Sequence, residues 1–444
     1  MRKLTESVKK HSNLMKEAHD FIWAHAETGY REVVTSKYME EIFENLGYEL
    51  VKAEDIPGFY TILDTGRPGP EILVLGELDS LICAEHPDAN PETGAVHCCG
   101  HSMQSATLVG IAAALKEPGI LDNWSGRIRL CAVPAEELIE IEYRTQLMNE
   151  GRIHYMGGKT EFLYRGYFDG VDLAFMVHTT VEPRAIVTPK WVGCLSKRVI
   201  YKGVSAHAGG SPWNGVNALY AANLGLNAIN AIRETFRESD LVRVHPIITQ
   251  GGGAVNAIPD QVIIESYIRG SSLDGIAKTN KKVNRALCGA ALSLGANVDI
   301  QDVPGYAPFM NCDELIDVVE EAVSMLPDME FMRDDHFSTG STDMGDLSAI
   351  MPTVQPCLPG ATGILHGANF IFPDVEKACT DSALVQIYML DMLLKNNASR
   401  AIDIISNYEP QFESKEAFFE CIDRFKQSGE RITYNEDGSA RVEL

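Results

Sequence analysis

Three short apolar runs, EILVLG at 71–76, RIRLCAV at 127–133 and DLAFMV at 172–177, constrain this chain more than any other feature. Each has the length of a strand, and each lacks the alternation of a half-exposed one, so all three read as strands buried on both faces. Between the first two lies MQSATLVGIAAAL, a helix of small residues over 103–115. Before them, residues 31–47 put Met39, Ile42, Phe43 and Leu46 on one face at helical spacing. Strands alternating with helices predict an α/β sheet with helices on its faces. In such a sheet the functional crevice lies beyond the carboxyl ends of the strands.

The texture changes near residue 190. SKRVIYKGV, VRVHPIITQGG, QVIIESYIRG and ANVDIQDV read as strands, with helical stretches over about 215–237 and 274–294. The order β, α, β, β, α, β is the split βαβ pattern of a small α+β unit. After about 305 the chain returns to its first character, with a helix at 313–326, loops rich in Gly, Ser and Pro, and a long helix at about 376–394. The last 45 or so residues read as partly helical with an acidic frayed end. For 444 residues, two domains are the expectation. The plan is a discontinuous catalytic domain, 1–190 and 305–444, interrupted by an inserted domain at 191–304.

Asp and Glu outnumber Lys and Arg by 62 to 38, a formal charge of −24. That field repels nucleic acid and anionic membrane surfaces, which removes both as expected partners. The first residues, MRKLTESVKKHSNLMKEAHDFIWAH, are charged and amphipathic and read as a helix of the fold, not as a signal peptide. No run has the length of a membrane span. The ten cysteines therefore read as reduced thiols in a cytoplasmic protein.

Four segments carry the chemistry. HCCGHSMQ offers Cys99 and His101 on a loop before a helix, with Gly100 allowing the tight turn that lets both side chains converge. Thiolate and imidazole both suit zinc or a similar metal. VPAEEL places Glu136 and Glu137 after a buried strand, where adjacent carboxylates point apart and one can bind metal while the other moves protons. His178 ends the third apolar run, and His366 lies in the Gly-rich GATGILHGANF. Singly, each has an ordinary structural reading: a buried thiol, a solvated Glu pair, a core histidine, a loop histidine. Together they supply one thiolate, three imidazoles, one carboxylate and a spare carboxylate, enough for two divalent ions sharing a water. The inserted region adds His207 in SAHAGG, Asn256 in GGGAVNAIPD and Arg269 in SYIRG. These read either as turn and strand-end residues or as donors to an oxyanion or carboxylate, and composition does not choose between the two.

The order HCCGH, PAEE, DLAFMVH, KGVSAHAGGSPWNGVNAL, GGGAVNAIPD and LHGANF resembles the amidohydrolase branch of the aminoacylase and carboxypeptidase-type dimetal hydrolases. That branch includes hippurate, indole-acetyl-amino-acid and aminobenzoyl-glutamate hydrolases. STDMGDLSAIMPTVQP and the tail look most like the last of these, and the likeness runs from about residue 10 to about 425. The resemblance implies an α/β dimetal exopeptidase-like catalytic domain with an inserted α+β, ferredoxin-like domain that serves as lid and dimerisation surface. It further implies that Cys99, His101, Glu137, His178 and His366 bind two divalent ions, zinc or manganese, with Cys99 a candidate bridge. Glu136 would be the general base. His207, Asn256 and Arg269 would belong to the lid, with His207 serving the other protomer of a homodimer, and Glu77 and Asp79 would lie behind the ligands. Two departures stand out. Ser102 and Gln104 occupy positions where relatives carry Asp or Asn and often His, and LIEIEYRTQLMNEGRIHYM at 138–156 replaces a short Gly-rich stretch.

The expected activity is hydrolysis of an amide bond in a small molecule such as an N-acyl amino acid or an aminobenzoyl-glutamate. The metal pair lowers the pKa of a water toward about 7, Glu136 takes its proton, and His207 helps stabilise the oxyanion. A deaminase or iminohydrolase releasing ammonia could use the same residues, and a silent binding homologue would keep the fold without the chemistry. Release of ammonia separates the first, and loss of a ligand or of the base would mark the second.

Overall fold

The strand Glu71–Glu77 is buried at every residue and sits inside a six-stranded sheet. The computed structural model describes residues 2–444. Arg127–Val133 runs parallel to Glu71–Glu77 on one side and Leu173–Phe175 on the other. Thr353–Val354 extends the sheet in parallel beyond Leu173–Phe175. Antiparallel Phe59–Asp64 and then Val51–Lys52 close the opposite edge.

The small-residue helix, His101–Leu115, is buried along its whole length. It packs against the sheet, against Ser12–Ala24 and against the long helix Val375–Asn407. Its small side chains allow that approach: a Cβ on Gly110 would lie 2.1 Å from the Met15 sulfur. The long helix continues past the expected stop near 394. It breaks at Lys395–Ala398, where Asn396, Asn397 and Ala398 take φ of 55°, 58° and 55°, and resumes to Asn407. Asn supports this left-handed backbone better than most residues, and nothing in the 3.6-residue pattern announces that the helix restarts.

Residues 193–306 build a second sheet. Gly193–Lys202 is flanked by Gln261–Gly270 and Asn297–Tyr306, both antiparallel to it. Arg243–Val244 and Ile247–Gln250 pair on the outer side of Gln261–Gly270. The helices Ala218–Ile232 and Leu273–Ser293 cover the sheet, and Val199, Tyr201, Ile264 and Leu287 form part of a core of its own. The observed order of elements is the split βαβ pattern.

The end of the chain differs from its sequence reading. The helix Lys415–Asp423 packs Phe418, Phe419 and Ile422 into the first body. The chain then crosses to the second sheet, where Gln427 and Asp302 exchange backbone hydrogen bonds of 3.1 and 2.8 Å and the Arg431 amide donates to Val298 at 2.9 Å. A hairpin, Ile432–Tyr434 with Ala440–Val442, follows, and Ile432 enters the second core. The acidic end is therefore a paired edge and not a frayed tail. Its polar sequence hid this because backbone pairing along Asn297–Tyr306 supplies the order.

Candidate metal centre and active-site cavity

The ends of the three central strands and one helix N-terminus meet at a single place. Asp79 follows Glu71–Glu77, Glu136 and Glu137 follow Arg127–Val133, and His178 lies three residues beyond Leu173–Phe175. Cys99 and His101 lead into His101–Leu115 through Gly100, whose φ is 94°. A Cβ there would lie 2.4 Å from the Thr179 methyl, so only glycine lets the Cys-x-His loop reach the strand end that carries His178. Ala135 takes φ of 59°, and the buried Glu32 carboxylate accepts its amide at 2.8 Å. This kink turns the Glu pair out of the sheet. His366 also has positive φ, 61°, and its amide donates to Cys98 O at 2.9 Å.

The structure brings all five expected ligands together in two triads. Cys99, His101 and His178 form one, and Cys99, Glu137 and His366 the other, each with its donor atoms within 4.8 Å of one another. Cys99 belongs to both. Its sulfur lies 3.4 Å from His178 Nε2, and His366 Nε2 lies 3.3 Å from Glu137 Oε1. The outer nitrogens of two imidazoles are already engaged: His101 Nδ1 donates to Asp79 O at 2.9 Å, and His178 Nδ1 to Thr179 O at 2.8 Å. With Nδ1 engaged in each ring, Nε2 is the nitrogen that would meet a metal. His101 Nε2 lies 3.1 Å from Glu77 Oε2, and Glu137 Oε1 faces His366 Nε2, so the candidate donors crowd against one another. A soft thiolate converging with imidazoles and a carboxylate suits a divalent transition metal.

Behind the ligands stands a buried frame. Asp79 Oδ2 accepts the Glu137 amide at 2.8 Å, so one carboxylate orients both His101 and the Glu pair. Lys159, with no exposed side-chain surface, donates to Glu77 at 2.5 Å and to Asp343. Arg144, also fully buried, donates to the carbonyls of Met156 at 2.6 Å, Ala135 at 3.3 Å, and Glu137. It comes from the helix Ile141–Asn149 within the segment 138–156, which thus holds the loop carrying Glu136. The sequence reading missed Lys159, Arg144 and Asp343. GGKTEF forms a helix buried through residue 163, which its sequence does not announce. At the departure positions, Gln104 accepts the Glu77 amide at 3.4 Å, while the Ser102 hydroxyl is buried and unpartnered.

These fields set the protonation of the metal-free site. Burial, followed by the Glu77, Glu137 and Asp343 carboxylates, pushes the Glu136 carboxyl well above its usual range. Burial and then Glu137 hold the Cys99 thiol up in the same way. Burial opposes charge on His101, yet Glu77, Cys99 and Asp79 outweigh it and raise that imidazole. Cation binding must therefore expel protons from Cys99 and His101, which couples affinity to pH.

A cavity of about 400 Å³ opens over the triads, lined by Cys99, Glu136, Glu137, His178, His366 and, from the second sheet, Arg269. The Arg269 Nε is buried without a partner, and its Nη1 donates to Thr339 O at 3.2 Å. His207 and Asn256 lie elsewhere. They are neighbours on an exposed edge, where His207 pairs with Ala257, and neither lines the cavity. His207 Nδ1 accepts the Gly209 and Gly210 amides at 3.2 and 2.9 Å, which leaves Nε2 as a donor. The three residues read together in the sequence are thus split within one protomer.

Residues 73–380 match Peptidase family M20/M25/M40. The chain belongs to this family. A mouse member, Xaa-Arg dipeptidase, is 31% identical over 72% of this chain and 68% of its own length. A chain of the p-aminobenzoyl-glutamate hydrolase of Escherichia coli is 28% identical over 63% of this chain and 56% of its own length. Among solved structures, a dinuclear metal binding peptidase of the M20 family from Bacillus subtilis superposes with a TM-score of 0.63 at 19% identity, covering 87% of this chain and 99% of that one. M20 membership makes the chain a metal-dependent hydrolase of amide bonds, as its motifs predict. Among the described residues no helix is long and apolar enough to cross a membrane.

Proposed function

We propose that this M20 protein hydrolyses the amide bond of a small N-acyl amino acid or dipeptide-like substrate, with Glu136 as general base. The observation that carries this reading is the pair of triads sharing Cys99, with Glu136 beside them in the same cavity. The triads fit two divalent ions, zinc or manganese, with Cys99 as the shared ligand. When bound, the ions supply Lewis acidity toward the amide carbonyl and acidify a water toward neutral pKa. Glu136 takes the proton of the attacking water. It then returns the proton to the departing nitrogen. Arg269, with a free buried Nε, receives the carboxylate of the amino-acid half. Retention of Cys99 as a thiolate ligand requires a reducing setting, and we place the protein in the cytoplasm.

Metal content tests the shared ligand. Wild-type protein is expected to hold close to two divalent ions per chain. Cys99→Ser should lower both occupancies, whereas His178→Ala should mainly empty one. Elemental analysis after gel filtration gives the numbers, and chelation should abolish amide hydrolysis until metal is restored. Full activity in chelated protein would end the proposal.

His207 is assigned to the cavity of a second protomer. Its position outside its own cavity supports this, as does the exposed apolar surface of the second sheet and its helix, including Tyr220, Leu224, Ile247 and Ile248. We therefore read 191–304 as an inserted domain through which the protein forms a homodimer. Glu136→Gln and His207→Ala homodimers should each be nearly inactive. A mixed dimer, isolated by two different tags, combines the intact base of one chain with the intact histidine of the other and should regain about half of wild-type activity. A mixed dimer as inactive as its parents would return His207 to a structural role.

A further inference from the structure

Strict strand alternation would point Tyr306 away from the cavity. Along Asn297–Tyr306, Val298 and Ile300 enter the helix-covered core of the second sheet, and Asp302 and Pro304 continue the same buried alternation. Tyr306 would be the next member of that face. The register breaks first: Cys194 pairs with Tyr306 while its neighbour Leu195 pairs with Pro304, which leaves Gly305 as an extra residue. A bulge of one residue sends the side chain that follows it to the opposite face. A Cβ on residue 305 would lie 2.6 Å from the Cys194 carbonyl oxygen and 2.7 Å from its sulfur, so the bulge closes only on glycine.

Turned over in this way, Tyr306 is buried against Leu138, Ile141 and Met156 of the first body. Its hydroxyl donates to the backbone carbonyl of Glu136. Among the described residues no backbone amide shares that carbonyl. The carbonyls on either side, of Ala135 and Glu137, accept from Arg144 instead. The loop that carries the base is thus held by a guanidinium from the first body and a phenol from the second sheet. The register also sets Tyr306 beside Cys194 and Cys194 beside Arg269, one row across three strands. All three line a side lobe of about 210 Å³ together with Glu136, Glu137 and His366.

We propose that Tyr306 is a positioning residue for Glu136. Its hydroxyl fixes the Glu136 backbone, and hence the reach of the carboxylate, from the same row of the second sheet that presents Arg269. The proposal rests on Glu136 acting as general base in the amide hydrolysis read above, and it adds the residue that aims that base. A misplacement of about 1 Å can cost about a hundredfold in rate, so one hydrogen bond to the backbone is enough to be felt in turnover.

Tyr306→Phe removes the hydroxyl and keeps the ring in its packing. The substrate is N-acetyl-leucine or alanyl-leucine, whichever metal-loaded wild type cleaves faster. The variant is expected to lose kcat by about 10- to 100-fold, with KM and metal content little changed. In a Glu136→Gln background the same substitution should cost almost nothing further, because residues that act through one group are not additive. A merely structural role predicts the full loss in both backgrounds. Hydrogen exchange reads the contact without substrate: residues 134–139 should exchange faster in Tyr306→Phe while Arg127–Val133 stays protected. Unchanged kcat in Tyr306→Phe, or an equal loss with and without Glu136, overturns the proposal and leaves amide hydrolysis standing. If wild type cleaves neither substrate, the amide reading fails for both, and unchanged exchange over 134–139 then overturns the role of Tyr306 by itself.

Discussion

Glu136→Gln is expected to keep its metal and lose turnover by about 10²–10⁴-fold, the usual contribution of a positioned general base. Glutamine has the shape of glutamate, and Glu136 belongs to neither Cys99 triad but to a separate cluster with Glu77 and His101, so metal content is expected to remain near that of wild type. Glu137→Gln should behave in the opposite sense. Glu137 Oε1 lies beside His366, and loss of its charge should weaken one ion before it affects proton transfer. Metal analysis and single-turnover rates on the same preparations distinguish the two. An outcome with the phenotypes exchanged would mean the two carboxylates have exchanged roles.

Lys159→Met should produce the largest loss of stability. The ammonium sits between Glu77 and Asp343, and all three side chains have no exposed surface. Removing the cation leaves Asp343 without a cationic partner and Glu77 with His101 alone, a change that costs about 3–5 kcal/mol where such pairs have been broken. The deficit should depend on pH. Burial already lifts the Asp343 carboxyl to about 6 even though Lys159 opposes the rise. Without Lys159 both acids bind a proton more tightly in the folded state than in the unfolded one. Stability then falls as pH rises through that interval, so the variant should be less impaired near pH 5 than near pH 8. Urea unfolding of metal-free protein at the two pH values measures it, and Lys159→Met combined with Glu77→Gln should recover part of the loss. A deficit independent of pH would argue that packing, not charge, is what Lys159 supplies.

Much of this site was legible because its residues sit where a sequence pattern stops. EILVLG, RIRLCAV and DLAFMV are uninterrupted apolar runs, and Asp79, Glu136, Glu137 and His178 follow them directly, so strand ends and chemistry could be read together. Gly100 signalled a turn between Cys99 and His101, and its positive φ explains why glycine stands there. Lys159 gave no such signal, since its partners are 82 and 184 residues away and no local spacing joins them. Arg144 reads as an ordinary charge on an amphipathic helix, and only the fold turns it inward onto three carbonyls. Arg269 shows the limit from the other side. Strand alternation could place it at the end of Gln261–Gly270 but could not say that this end reaches the cavity whereas the edge bearing His207 does not.

The crossing of the last twenty residues has a mechanical consequence. The second sheet leaves the first body by two covalent connections, one before Gly193 and one after Tyr306, and two pivots by themselves define a free swinging axis. The strap from Ile422, anchored in one core, to Ile432, anchored in the other, adds a third mount away from that axis. Gln427, paired with the Asp302 backbone, clamps it midway. A movement of the second sheet against the first body would have to carry this strap along or peel it away. Such a movement would be restrained from the strap as well as from the two covalent connections.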